Sequence, residues 1–118
     1  MALFMNRIST HVLDTALGKP AKDVPVRLDW QDSAGEWHVV ASSRTDSDGR
    51  CAQLLPENAA LRAGIYRLAF DTASYQVARN IHGLYPVVEV TFRVRDGESH
   101  FHIPLLLSPH GYTTYRGS

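Results

Sequence analysis

Apolar and polar residues alternate in several short segments, and this two-residue period is the feature that most limits the possible fold. Between residues 100 and 107, the large apolar side chains all fall on one parity: Phe101, Ile103, Leu105 and Leu107. His100 and His102 fall on the other parity, with Pro104 and Leu106. Because successive side chains of a strand point to opposite faces, we predict a strand with one face in the core and two imidazoles on the other.

Similar β-prone segments recur along the chain between turn-forming residues. The predicted strands cover residues 8–14, 24–31, 37–43, 64–71 and 85–95, the last being the longest alternating segment. Between Thr72 and Ile81 the period becomes helical, and Gly83 can end the helix. Seven or eight short strands with one short helix predict a mainly β protein, folded as an antiparallel two-sheet β-sandwich.

Length and composition narrow the possible functions. With 118 residues, the chain fits a single domain, 1–118, and its net charge of zero gives no reason to expect nucleic acid or an anionic membrane as a partner. The single cysteine, Cys51, cannot form an internal disulfide. No apolar run is long enough to span a bilayer, and residues 1–5 are too short for a signal segment. The expected compartment is the cytoplasm.

Two segments resemble the signatures of the transthyretin-like family. The first is His11-Val12-Leu13-Asp14 followed by Gly18-Lys19-Pro20-Ala21, and the second runs from Ile103 to Tyr112. The spacing between them, with one helix between the fifth and sixth strands, is also similar. Phe101, where tyrosine is common, and His110, where an aromatic residue often stands, depart from the pattern. The resemblance covers nearly the whole chain and implies a transthyretin fold.

Four features resemble the enzymatic branch of that family, the 5-hydroxyisourate hydrolases, rather than the hormone carriers. They are His11, Arg50, His102 and the ending Tyr115-Arg116-Gly117-Ser118, where carriers have lysine, glutamate, threonine and no such ending. The resemblance implies hydrolysis of 5-hydroxyisourate in urate breakdown. It also implies a homotetramer with its active sites in a channel between dimers.

The residues themselves are compatible with this chemistry, although they do not name the substrate. Hydrolysis of a cyclic amide needs a base for water, donors for the developing oxyanion and an acid for the leaving nitrogen. His11 and His102 can supply the imidazoles, since histidine titrates near neutral pH. Arg50 presents a planar set of donors that matches an anionic, urate-like ring. Neither a metal nor a cofactor is required, and which imidazole is the base stays open.

The ending is expected to take part as well, because chain ends usually fray unless they are held. Tyr115 can form an aromatic wall and donate from its hydroxyl, and Gly117 allows close approach of the backbone. Ser118 adds a hydroxyl and the α-carboxylate, which could orient a histidine or pair with the guanidinium of Arg116. We therefore assign Ser118 to the catalytic group with His11, Arg50 and His102. Tyr115, Arg116 and Gly117 are assigned to substrate binding.

Three alternatives remain. The chain could be a carrier that binds a small aromatic ligand without chemistry, although a carrier needs no base. His100 and His102 could hold a metal with His11, but no carboxylate is placed to help. The third alternative, a serine hydrolase built on Ser108 or Ser118, lacks the expected nucleophile turn. Calcium binding is not expected, because the acidic turn at 44–50 has arginine where a calcium loop needs its first ligand. His38, His82 and His110 are expected at the surface.

Overall fold

Two β-sheets and one short helix make up the protein, and the computed structural model describes residues 6–118. The strands are β1 (Arg7–Asp14), β2 (Lys19–Pro20), β3 (Pro25–Gln31), β4 (Trp37–Arg44), β5 (Arg50–Cys51), β6 (Gly64–Phe70), β7 (Val88–Val94), β8 (His100–Ser108) and β9 (Gly111–Thr114). The helix, α1, spans Thr72–Val77. One sheet has the order β2-β1-β8-β9, with β5 also paired to β1, and the other has the order β4-β3-β6-β7.

The predicted two-sheet sandwich with one short helix is confirmed. Among residues 6–118 there are nine strands, of which β2 and β5 contain only two residues each. The central pair of the first sheet, β1 and β8, is parallel, whereas the other pairings are antiparallel. The parallel pair aligns two segments from opposite ends of the chain, and the site described below lies across it.

The alternation in β8 appears in the structure as predicted. Phe101, Ile103, Leu105 and Leu107 are buried and join the core cluster with residues of the other sheet. Their burial is the main force that fixes which face of β8 points outward. Pro104 is buried too, although its parity placed it on the face opposite the core. The reason is that β8 is flanked by β1 and β9, so its outward residues are partly covered by neighbours.

The helix is shorter than the helical pattern in the sequence. Asp71 caps its first turn, because the Asp71 carboxylate accepts a hydrogen bond from the amide of Ser74 at 3.0 Å. The helix ends at Val77, before Ile81 and Gly83, and Asn80 takes a positive φ of 56°. The helix is thus stopped by the backbone turn at Asn80 rather than by Gly83.

The buried phenol of Tyr75 fastens the helix to the end of β1. Its hydroxyl donates to Asp14 Oδ2 at 2.8 Å. Burial, together with this hydrogen bond, raises the pKa of Tyr75 to about 12. The phenol therefore stays protonated and keeps donating at any pH near neutrality.

The predicted strand 85–95 begins later, at Val88. The carbonyls of Tyr85 and Pro86 accept hydrogen bonds from the Thr72 hydroxyl and the Ala73 amide, respectively. These residues are therefore held against the start of the helix and do not pair with β6. The longest strand of the described chain is β8, with nine residues.

The interpretation of residues 1–5 as too short for a signal segment falls outside the described residues. Within 6–118, the one helix, with six residues, is far too short to span a membrane.

Candidate active site

Strand register brings the predicted histidines and arginine to one face of the first sheet. Ser9 lies opposite His102 in the parallel pair, and His11 lies opposite Arg50 in the β1–β5 pair. Side chains directly opposite each other share a face of a sheet, and Ser9 and His11 are two residues apart on β1. Ser9, His11, Arg50 and His102 therefore all project from the outer face of this sheet.

The turn before β5 positions Arg50 for its pairing with His11. The carboxylate of Asp46 accepts hydrogen bonds from the amides of Asp48 and Arg50, both at 2.9 Å. Gly49 has φ = 76°, and a β-carbon there would lie 2.4 Å from the carbonyl oxygen of Val12. Only glycine allows the turn to sit this close to β1. The hydrogen bond from the Arg50 amide is also the main reason that the pKa of Asp46 is lowered.

His102 is half-buried and held from two sides. On one side, its Nδ1 lies 2.8 Å from the hydroxyl oxygen of Ser9. On the other, the Gly117 amide donates to the His102 carbonyl at 2.7 Å, and the Gly117 backbone packs against the ring. Burial lowers the pKa of His102, and the positive charge of Arg50 lowers it further. The imidazole is thus neutral at physiological pH.

An open cleft of about 450 Å³ lies in front of these groups. Its lining includes Ser9, Arg50, His100, His102, Gly117 and Ser118. His11 is not part of the lining but lies beside it, at the register position of Arg50. The cleft has room for a small polar heterocycle, with donors from a guanidinium, an imidazole and a hydroxyl around it.

The last residues follow the start of β8 but not as a regular strand. The register that pairs Leu105 with Thr114 also pairs His102 with Gly117, so Tyr115 falls opposite Pro104. Proline has no amide hydrogen to donate across the ladder. The pairing is therefore interrupted at Tyr115 and resumes at Gly117, which brings Ser118 to the cleft.

Tyr115 and Arg116 do not line the cleft of their own chain. The guanidinium of Arg116 donates to Glu98 Oε2 and to the His100 carbonyl, both at 3.0 Å, and stacks on Phe101 at 4.2 Å. Tyr115 is 54% exposed. Of the seven residues predicted to act in the site, His11, Tyr115 and Arg116 do not line the cleft of the single chain. The assignments of all seven stay predictions.

The other histidines are placed as the sequence indicated. His100 lies at the edge of the cleft, exposed, with its Nδ1 2.9 Å from Ser99 Oγ. His38, His82 and His110 are exposed. Among residues 6–118, no three His, Cys, Asp or Glu side chains are grouped so that they could hold a metal ion.

Two contributors to the site, Ser9 and Asp46, were not identified from the sequence. Asp46 belongs to the acidic turn at 44–50, for which a calcium loop is the only function that the sequence pattern suggests. Ser9 shares the parity of His11, which is the one sequence signal that could have pointed to it. Its contact with His102 joins residues 93 positions apart, and no local pattern contains that distance.

These observations define the class of protein: a transthyretin-like β-sandwich with a polar, imidazole-lined cleft on one outer face. A family model described as HIUase/Transthyretin family matches residues 8–117. The chain therefore belongs to the HIUase/Transthyretin family.

Named relatives identify the enzymatic class. The chain is 44% identical to the 5-hydroxyisourate hydrolase of Mus musculus, with all of both chains covered. It is 42% identical to that of Ralstonia nicotianae, covering 97% of this chain and 100% of the relative. Together with further relatives of the same name, these similarities show that the chain is an enzyme of the hydrolase class.

Solved structures support the fold but match both branches of the family. A Klebsiella pneumoniae 5-hydroxyisourate hydrolase superposes with a TM-score of 0.83 at 34% identity, covering 97% of this chain and all of that one. Sea bream transthyretin in complex with thyroxine superposes with a TM-score of 0.87 at 32% identity, covering 94% of each chain. The backbone alone therefore does not separate an enzyme from a carrier, and the side chains at the cleft must do so.

Proposed function

We propose that the chain hydrolyses 5-hydroxyisourate to 2-oxo-4-hydroxy-4-carboxy-5-ureidoimidazoline, a step of urate breakdown. The observation that carries the proposal is the convergence of His11, Arg50 and a neutral His102 on one sheet face beside a cleft. A carrier has no use for a neutral imidazole held in a fixed orientation. The names of the relatives supply the substrate, which the geometry alone does not.

The proposed reaction adds one water molecule across a ring amide. The water oxygen bonds to the ring carbonyl carbon while one imidazole accepts a water proton, and the carbonyl oxygen gains negative charge. The ring carbon–nitrogen bond then breaks, and the leaving nitrogen takes a proton. The products are a carboxyl group and a ureido group on the remaining ring, so atoms and charge balance.

Each of the four candidate catalytic residues has a proposed role in this reaction. His11 and His102 exchange protons with water and with the leaving nitrogen, and Ser118 adds a hydroxyl donor at the cleft. Arg50 stabilises the developing oxyanion and orients the anionic ring through its planar donors. Proton transfer by positioned groups typically contributes about 10²–10⁴-fold, which is substantial for a substrate that also opens unaided. The proposed mechanism uses no metal and no cofactor.

We also propose that the working form is a homotetramer, a dimer of dimers. The cleft opens outward from a sheet face, and the exposed ring of Tyr115 is not part of the lining of its own chain's cleft. A second chain across the cleft could close it and contribute Tyr115, as the family resemblance implies. The cytoplasmic location and the single domain 1–118 stay predictions.

Purified chain mixed with freshly prepared 5-hydroxyisourate tests the proposal, with and without a chelator. We expect ring opening well above the spontaneous rate in both conditions, from a species that sediments as a tetramer. His11→Ala and His102→Ala should each lower kcat strongly and act non-additively together, since the two imidazoles serve one reaction. His82→Ala replaces an exposed histidine and is the matched control. A folded tetramer without any acceleration would refute the proposal, and tight binding without turnover would favour a carrier.

A further inference from the structure

The hydroxyl of Ser9 is committed to a single partner, the imidazole of His102. Ser9 is 8% exposed, and its Oγ lies 2.8 Å from His102 Nδ1. Among residues 6–118 it makes no other side-chain hydrogen bond. A buried hydroxyl that makes no hydrogen bond as a donor costs free energy. The Ser9 hydroxyl is therefore expected to donate a hydrogen bond to Nδ1.

This direction of donation decides where the imidazole carries its own hydrogen. A neutral imidazole has one N–H group and one bare nitrogen. If Nδ1 accepts from Ser9, the ring hydrogen must be on Nε2. Burial and the neighbouring guanidinium of Arg50, which lower the pKa of His102, keep the ring in this neutral state.

The ring is also fixed so that Nε2 faces the cleft. Nδ1 is held toward β1 by Ser9, and Cδ2 is covered by Gly117, whose β-carbon, if present, would be 2.6 Å away. With these two edges occupied, the Cε1–Nε2 edge is the part of the ring left to meet a ligand. His102 accordingly lines the cleft.

We propose that Ser9 is a positioning residue that holds His102 in the Nε2–H tautomer, so that His102 offers a hydrogen-bond donor to the substrate and His11 is left to act as the base. The assignment of His102 as hydrogen-bond donor and His11 as base deepens the function proposed above and rests on it. The tautomer itself does not, since it can be measured without substrate.

The direct test is the ring-nitrogen NMR spectrum of the ¹⁵N-labelled tetramer, which distinguishes a bare nitrogen from a protonated one. We expect His102 in the wild-type protein to show a bare Nδ1 and a protonated Nε2 at neutral pH. In Ser9→Ala the two tautomers should become mixed, and Ser9→Thr, which keeps the hydroxyl, should restore the wild-type pattern. A protonated Nδ1 in the wild-type protein would overturn the proposal.

Ser99→Ala is the matched control. Ser99 makes the same kind of contact, from its Oγ to His100 Nδ1 at 2.9 Å, but at an exposed position. Its removal should leave the His102 tautomer and the turnover of 5-hydroxyisourate unchanged. A change as large as that in Ser9→Ala would show that the effect is not specific to His102, and would count against the proposal.

Kinetics provide the second readout. Ser9→Ala should lower kcat by about 3- to 10-fold with KM nearly unchanged, the range expected for one hydrogen bond that orients a catalytic group. Ser9→Thr should recover most of that loss. A folded Ser9→Ala protein with wild-type kcat and wild-type tautomer would overturn the proposal. If the wild-type chain does not turn over 5-hydroxyisourate at all, the proposed function fails, and the NMR spectra still decide the role of Ser9.

Discussion

The backbone of Gly117 lies against the imidazole of His102, so closely that a β-carbon on Gly117 would be 2.6 Å from Cδ2. The same two residues share a backbone hydrogen bond of 2.7 Å. The last residues of the chain are therefore part of the surroundings of the proposed catalytic imidazole. This relationship explains why a glycine is needed there and not only a short side chain.

Gly117→Ala is expected to lower activity by about tenfold to a hundredfold, because the new methyl group must displace the His102 ring from its position. Thermal stability should change little, since the site is at the surface of the sheet. Gly111→Ala is the control, since a β-carbon there would meet only Ser108 Oγ at 3.7 Å. Steady-state kinetics and thermal melting on both variants check this. If Gly117→Ala is as active as Gly111→Ala, displacement of the His102 ring does not affect catalysis.

The lowered pKa of His102 gives a pH prediction with a definite sign. The pKa of the imidazole is lowered from its usual 6.5, so the neutral ring that the proposed donor role needs should predominate at and above that pH. It should be lost as the pH falls through the lowered pKa. The group's contribution to stability has the same sign, since protonation there favours the unfolded chain. An NMR titration of His102 with a midpoint above pH 6.5 would contradict the assignment, whereas the acid limb of a kcat/KM profile also reports His11, the proposed base.

Arg50→Gln separates the causes of that shift. Burial is the largest cause and the Arg50 charge the next, so removal of the charge should raise the pKa of His102 only part of the way to its usual value. An NMR titration of His102 in the wild-type and Arg50→Gln proteins measures this directly. Full return to the usual value would mean that burial contributes nothing, and no change would mean that the guanidinium does not face the ring.

Asp46→Ala should lower activity, although Asp46 does not line the cleft. Its carboxylate holds the amide of Arg50, so its loss should loosen the turn and raise KM several-fold, with kcat also reduced. Asp48→Ala is the control in the same turn, because there the hydrogen bond comes from the backbone amide, which the variant keeps. Kinetics of both variants check the prediction, and equal effects would show that charge in the turn matters rather than the hydrogen bond to Arg50.

The faces of the strands could be predicted from the sequence because alternation is a local property. The parity of residues 101–107 identified the buried face of β8 and left His102 on the other, as the structure has it. The register between strands is not local. Ser9 meets His102 only because β1 and β8 are parallel neighbours, which is decided by the packing of the whole sheet.

The ending illustrates the same limit in another way. The sequence predicts one functional unit made of Tyr115, Arg116, Gly117 and Ser118. Pro104, across the ladder, interrupts the pairing at Tyr115, so the four residues are divided between two surroundings. Gly117 and Ser118 reach the cleft of their own chain, whereas Arg116 is tied to Glu98. A proline can be seen in a sequence, but which residue lies opposite it cannot.

Removal of residues 115–118 is expected to abolish most activity, because it takes away the contact of Gly117 with His102 and the hydroxyl of Ser118 together. Stability should fall only modestly, since the ion pair between Arg116 and Glu98 is exposed and such pairs contribute little. Arg116→Ala separates the two effects, because it removes the ion pair and the stacking on Phe101 while Gly117 and Ser118 remain. We expect Arg116→Ala to reproduce most of the loss in melting temperature but only part of the loss in kcat. Sedimentation, thermal melting and kinetics on both proteins decide this: if the truncated chain keeps the oligomeric state of the parent protein and its full activity, the ending has no part in catalysis.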